Sequence, residues 1–263
     1  MASFAAVAAP GFWGVPTSSV DWCEANYALS AYVCEFFNTL SSVVLIVVGL
    51  AGAYLHRRVL ERRFALVFLS VVVVGVGSVA FHGTLLFELQ MLDELPMLYT
   101  AALLVYILLE DRPKPRHGPW LPAVLVIYAA FATYGAAFTR GGAQFWFFQI
   151  SFASLEVLGL ILTTLLYRKS REPAQRRLFR AGMTLYLLAI ALWFVDLRFC
   201  DALVGALAAL GLPNIQLHAW WHALVACGLY ALILMIGHHR MNVLGQRPRL
   251  VRRAGIPRLV AAE

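Results

Sequence analysis

Seven stretches of this chain are apolar for long enough to cross a bilayer, and polar islands interrupt them at only a few places. A spanning helix needs roughly 20 mostly apolar residues. Runs that meet or approach that length fall at residues 36–55, 64–81, 95–109, 120–138, 145–167, 181–195 and 217–237. The third extends back to Met91 if Asp93 faces inward, and the sixth extends to Phe199. Pro113, Pro115 and Pro119 break the third connection, and Pro173 the fifth. The pattern predicts an all-α integral membrane protein, a bundle of seven transmembrane helices. Residues 1–35 form an acidic segment before it and residues 238–263 a basic tail after it.

Composition supports this reading. Of 263 residues, 61% are hydrophobic and 13% charged, where a soluble domain would carry about 25% charged residues. No polar stretch is long enough for a separate soluble domain. The net charge of +7 raises the question of nucleic acid, but the basic residues sit in short loops between apolar runs. With the N-terminus outside or lumenal, every Lys and Arg except Arg140 and Arg198 lies on the inner side. That bias is the positive-inside rule; it places the C-terminus in the cytoplasm and leaves no role for nucleic acid. Met1 to Pro10 are small and apolar without a basic leader, unlike a signal peptide. An obligate protein partner is not evident.

The polar islands are Gly77–His82, Met91–Pro96 and His218–His222. Ionisable groups in lipid are expensive and mark functional sites by default. His218 and His222 are four apart and share one helix face. Such a pair is either two hydrogen-bonded interfacial histidines or two ligands of one ion. His82 ends an outward-running span, whereas Asp93, His218 and His222 open inward-running ones, so all lie at one depth. Three neutral imidazoles suit Zn²⁺ and leave one position for water. Asp93 is placed either to carry protons or to orient a histidine. Ser78, one turn before His82, is either an oxyanion donor or a packing serine. In the acidic segment, Asp21, Glu24 and Glu35 with neighbouring carbonyls form either a solvated loop or a hard-cation site. His56, His117, His238 and His239 are read as packing or loop residues. Glu156 either lines a cavity or is a hydrogen-bonded packing residue, and Asp196 contacts substrate, pairs with Arg198 or caps a helix.

Gly11-Phe12-Trp13-Gly14, the run Asp21-Trp22-Cys23-Glu24-Ala25-Asn26-Tyr27 and Glu35-Phe36-Phe37-Asn38-Thr39 resemble the N-terminal blocks of alkaline ceramidases. The three islands resemble that family's later blocks, in the same order, from Gly11 to about Gly237. The family is similar in architecture and zinc site to adiponectin receptors. The resemblance implies a seven-span amidase that cuts a ceramide-like lipid to a sphingoid base and a fatty acid. It implies that His82, His218 and His222 bind zinc, with Asp93 as acid/base and Ser78 assisting at the oxyanion. It also implies calcium held by Asp21, Glu24 and Glu35 with backbone oxygens of Trp22 and Asn26, and a disulfide between Cys23 and Cys200. Cys34 and Cys227 read as apolar packing residues, and residues 202–212 as a loop rich in small residues. The implied residence is the endoplasmic reticulum, Golgi or plasma membrane of a eukaryote, or the inner membrane of a bacterium. A seven-span receptor with residual zinc hydrolase activity is the alternative. A cation transporter fits less well, because the inner halves of the spans are apolar apart from Glu156.

Overall fold

The structure, a computed structural model, describes residues 11–253 and 255–261; the leader reading at Met1–Pro10 lies outside them. Seven helices follow in order: α1 (Phe36–His56), α2 (Arg62–Thr84), α3 (Phe87–Leu109), α4 (Trp120–Phe138), α5 (Gly141–Lys169), α6 (Pro173–Ala209) and α7 (Leu217–Val243). Six of them are long and apolar enough to cross a membrane, so the chain is a multi-pass membrane protein. The exception is α6. It carries Arg176, Arg177 and Arg180 near one end and Asp196, Arg198 and Asp201 near the other, and its helical geometry breaks at Phe199 (φ −125°, ψ 21°).

Two departures from the sequence reading are physical. Residues 202–209, read as loop, are helical; the run is rich in Ala and Leu, which favour helix most. The tail is not all coil or helix. α7 runs on to Val243, and the chain then forms an antiparallel hairpin of β1 (Pro248–Arg253) and β2 (Ile256–Ala261). The molecule is therefore helical in its membrane part with a small two-stranded sheet appended.

The central helix is α7, with residues Tyr230 to His238 continuously buried. Close approach explains much of the packing. A Cβ on Gly182 of α6 would lie 2.9 Å from the Gly228 carbonyl of α7, and one on Gly228 would lie 3.0 Å from the Gly182 carbonyl. Small residues let membrane helices touch backbone to backbone. By contrast α4 is peripheral and buries only Ala132 and Ala136. The main apolar cluster, with Phe64, Phe68, Ile107, Phe179, Leu234 and Met235, fills the end at which α1 finishes and α2 begins. The polar islands gather at the other end.

A three-histidine centre and the segment that covers it

At the polar end α1, α3 and α7 begin and α2 finishes. His82 stands near the end of α2, and His218 and His222 on the first turns of α7. All three are buried. One ligand nitrogen from each lies within 4.8 Å of the others. The ring partners suit a metal centre, where ligand histidines use the second nitrogen to hold a neighbour. His82 Nδ1 meets Glu35 Oε2 at 2.5 Å, and His222 Nδ1 meets Ser41 Oγ at 2.8 Å. His218 Nδ1 is buried without a hydrogen-bond partner among the described residues. The His218 ring stacks on Trp22, with centroids 3.7 Å apart. Three buried imidazoles this close, one with a nitrogen that has no hydrogen-bond partner, are costly by themselves, and a cation bound by one nitrogen of each would relieve that cost.

Asp93 is buried on α3 and is not one of the three-nitrogen set. Its carboxyl lies beside the Ser78 hydroxyl. Ser78 Oγ is 2.9 Å from Ser42 Oγ and 3.3 Å from His222 Nε2. Gly77 makes this juxtaposition possible. A Cβ there would sit 2.1 Å from the Leu92 carbonyl oxygen and 2.9 Å from the Asp93 nitrogen. Only glycine lets α3 come this close to α2 beside the serine. The next residue, Glu94, is held by two amides: Gln90 Nε2 donates to its Oε1 (2.9 Å) and Gln144 Nε2 to its Oε2 (2.6 Å). This ties the start of α3 to α5.

The acidic segment lies over this end and is bonded to it at many points. The Thr17 and Ser18 amides donate to the Leu85 carbonyl. The Ser19 amide donates to Gln90 Oε1 at 2.7 Å. The Cys34 amide donates to Gly83 and the Glu35 amide to His82. Cys23 and Cys200 form a disulfide with Cα atoms 5.3 Å apart, the spacing such a bridge needs. Asp196 caps a helix, but a neighbouring one: it accepts from the His218 amide of α7 and from the Cys23 amide.

Within the segment, Glu24 accepts from the Phe37 and Asn38 amides (2.7 and 2.9 Å). These are orphan donors of the first turn of α1, where a carboxylate is favoured. Glu35 accepts from the Trp22 amide and from Asn38 Nδ2. Asn26 Nδ2 donates to Asp21 Oδ2 at 3.0 Å, while Asp21 Oδ1 and Asn26 Oδ1 are buried without partners among the described residues. Burial pushes the Asp21 carboxyl up to about 7, and the Glu35 carboxylate adds to the shift. Burial pushes Glu35 up to about 8 and also raises Glu24. Three carboxyls held where charge is costly, beside the unpartnered Asp21 Oδ1 and Asn26 Oδ1, suit a hard cation.

Every residue singled out at the polar end is thus brought together there. Sequence reasoning missed Ser41, Ser42, Gln90 and Gln144 and gave no role to Glu94 of the Met91–Pro96 island, although Glu94 and Gln90 flank Asp93 within an apolar run and carry the same signal. Cys34 is buried as expected, whereas Cys227 is exposed on α7. Glu156 accepts a hydrogen bond from Tyr186 on α6, beside a cavity of about 40 Å³ also lined by Leu104, Leu155 and Leu232.

Against known proteins, the ceramidase family profile matches residues 14–256. The chain is 36% identical to alkaline ceramidase 3 of Mus musculus over 251 residues, covering 93% of this chain and 92% of the relative. It is 32% identical to alkaline ceramidase YPC1 of Saccharomyces cerevisiae, covering 89% and 80%. An alkaline ceramidase of Arabidopsis thaliana is 29% identical, with 91% and 90% covered. With the profile spanning nearly the whole chain and two relatives above 30% identity, this chain belongs to the ceramidase family and is a ceramidase.

Proposed function

We propose that the chain hydrolyses the amide bond of ceramides within the membrane, releasing a sphingoid base and a free fatty acid, with zinc held by His82, His218 and His222. The observation that carries this reading is the set of three buried imidazole nitrogens within 4.8 Å of one another, beside Asp93 and Ser78. A zinc ion there would supply a polarised carbonyl and a water acidic enough to ionise near neutral pH. Asp93 takes the proton from the attacking water as the carbon–oxygen bond forms. Ser78 donates to the carbonyl oxygen as it gains charge. Asp93 then returns the proton to the amine nitrogen as the carbon–nitrogen bond breaks. Glu35 accepts from His82 Nδ1 and so holds Nε2 toward the centre. Trp22 fixes the plane of the His218 ring.

The second metal in this reading is calcium, held by side chains of Asp21, Glu24 and Glu35 with backbone oxygens of Trp22 and Asn26. Glu35 then belongs to both sites and couples them. The histidine end faces outside or the lumen, as the loop charges argue, in a eukaryotic endomembrane or plasma membrane or a bacterial inner membrane. Ceramide reaches the site laterally from the bilayer.

The test is metal analysis of the purified protein alongside turnover of a ceramide series. About one zinc per chain, lost together with turnover in His222→Ala, is expected. Full turnover by a metal-free His222→Ala protein would sink the mechanism.

A further inference from the structure

We infer that the outward face of the C-terminal hairpin is a binding surface for acidic phospholipid headgroups. The hairpin is docked on the end of the bundle remote from the histidines. Leu259, 1% exposed, inserts its side chain into the main apolar cluster with Leu250 beside it. The Leu259 amide donates to His56 Nε2 at 3.2 Å, at the last residue of α1. Tyr230 of α7 donates to the Pro257 carbonyl at 2.7 Å. The hairpin is therefore fixed to the last residue of α1 and to Tyr230 midway along α7, on the side of the bundle that carries the basic loops.

Side chains alternate between the faces of a strand, so the register assigns each residue. The docked face carries the pair Leu250 and Leu259. The opposite face carries three cross-strand pairs: Arg249 with Val260, Val251 with Arg258, and Arg253 with Ile256. Each pair sets one arginine against one aliphatic residue, and no arginine faces an acid or another arginine. Like charges directly opposite would repel, and an acid would neutralise. None of these three arginines is in an ion pair among the described residues; Arg249 and Arg253 are exposed, while Arg258 is half-buried at the edge of the face, with its Nε buried and without a hydrogen-bond partner. Exposed Arg57 and Arg58 follow His56 directly and flank the same site.

Positive-inside topology asks only for a count of basic residues on one side. It asks for no ordered strand pair and no alternation. A face of arginines interleaved with aliphatics fits phosphate oxygens and the upper acyl carbons of an interface together, and guanidinium suits phosphate best of the basic groups. The occupant that matches both chemistries on the basic side of a membrane is an acidic phospholipid.

The experiment uses the full chain in detergent micelles, with retained lipid counted by native mass spectrometry. It is offered phosphatidylserine, a phosphatidylinositol phosphate, phosphatidylcholine or inorganic phosphate. Acidic lipids should bind and the choline lipid and inorganic phosphate should not. The triple substitution Arg249→Gln, Arg253→Gln, Arg258→Gln should weaken binding on the order of a hundredfold, roughly fivefold per arginine. The corresponding triple lysine protein should keep most of it. Equal binding of choline lipid or inorganic phosphate, or wild-type binding by the triple glutamine protein, would overturn the proposal. Should that variant not fold, photo-crosslinking of an acidic lipid to the unaltered protein decides: adducts on residues 248–261 support the surface, and adducts only elsewhere refute it. Neither readout involves ceramide turnover, so this proposal and the hydrolase reading fail separately.

Discussion

At the histidine end of the bundle, side-chain hydrogen bonds hold the helices together; at the opposite end, apolar packing does. Ser42, Ser78, Asn38 and Glu35 are buried within a few turns of one another, with half-buried Ser41 beside them, and they are joined by hydrogen bonds. At the far end, Phe64, Phe68, Leu234 and Met235 interdigitate, and the polar contacts are fewer and flank that cluster: a Glu61–Arg240 pair, a buried Gln175–His238 bond between α6 and α7, and a docked hairpin. On the proposed reading, the difference shows what chemistry within a membrane demands. Buried polar groups are nearly always partnered, so such a centre is surrounded by side chains that satisfy most of it, with a few atoms such as His218 Nδ1 left over. The histidine end accordingly recruits a covering segment, a disulfide and amides from four helices. The far end needs none of these.

The largest test of this contrast strikes the centre. Asp93→Asn keeps the volume and the approach of α3 to α2 but removes the proposed proton carrier. Turnover should fall by about 10²–10⁴-fold, the usual contribution of a positioned acid/base, while bound zinc and thermal stability hold. A protein that lost its zinc with Asp93→Asn, and turned over normally once reloaded, would make Asp93 a support for the histidines instead.

The next test removes the covalent tie of the covering segment. Cys200→Ser opens a loop spanning 177 residues and should cost roughly 2–4 kcal/mol of stability. The loss should fall first on the segment: faster hydrogen exchange at Trp22 to Asn26, weaker stabilisation by Ca²⁺, and zinc retained. Equal loosening at both ends, read by exchange at Leu234 and Met235, would mean that the ends are not independent.

A smaller effect is expected from Gly77→Ala. The added Cβ would meet the Leu92 carbonyl, so α3 must shift. Overpacking of this kind costs about 1–3 kcal/mol, but turnover should fall further than stability does because Asp93 moves with Leu92. Gly142→Ala is the control: nothing lies within 4 Å of a Cβ there. Equal turnover in the two variants would show that the α2–α3 approach does not set the geometry.

How much of this was legible in the sequence differs between the ends for the same physical reason. Apolar runs announced all seven helices, and lone polar residues in them announced His82, Asp93, His218 and His222. The Glu35–His82 contact joins residues 47 apart, and no spacing rule reaches across such a distance. Both partners are nonetheless legible, His82 as a costly group in an apolar run and Glu35 as an acid of the segment that precedes the first span. Helix ends were harder. α3 begins at Phe87 because Gln90 and Glu94 satisfy each other through Gln144, which a hydropathy run cannot register. The hairpin was invisible because its aliphatic positions are diluted by arginines, and only the dock at His56 and Tyr230 makes it a folded element.

The smallest expected effect belongs to the far end. Arg240 donates to both oxygens of Glu61 (2.8 and 2.9 Å) and, through Nη1, to the Asp111 and Arg112 carbonyls (2.9 and 2.6 Å). This clamp joins the end of α7 to the first and third connections. The hydrogen bonds from Arg240 hold the Glu61 carboxyl below its usual range, outweighing burial. A carboxylate whose folded value is depressed contributes stability that is present above its unfolded value and lost as pH falls through the folded one. Arg240→Met should therefore remove part of the stability at neutral pH and flatten the acid limb of the melting profile below about pH 4.5. Glu61 is more than a third exposed, so solvent screening limits the effect to about 1 kcal/mol. Turnover and zinc content should not change, because the clamp touches nothing at the histidine end. A loss of zinc in Arg240→Met would show that the two ends are mechanically coupled through α7, and that the separation drawn here does not hold.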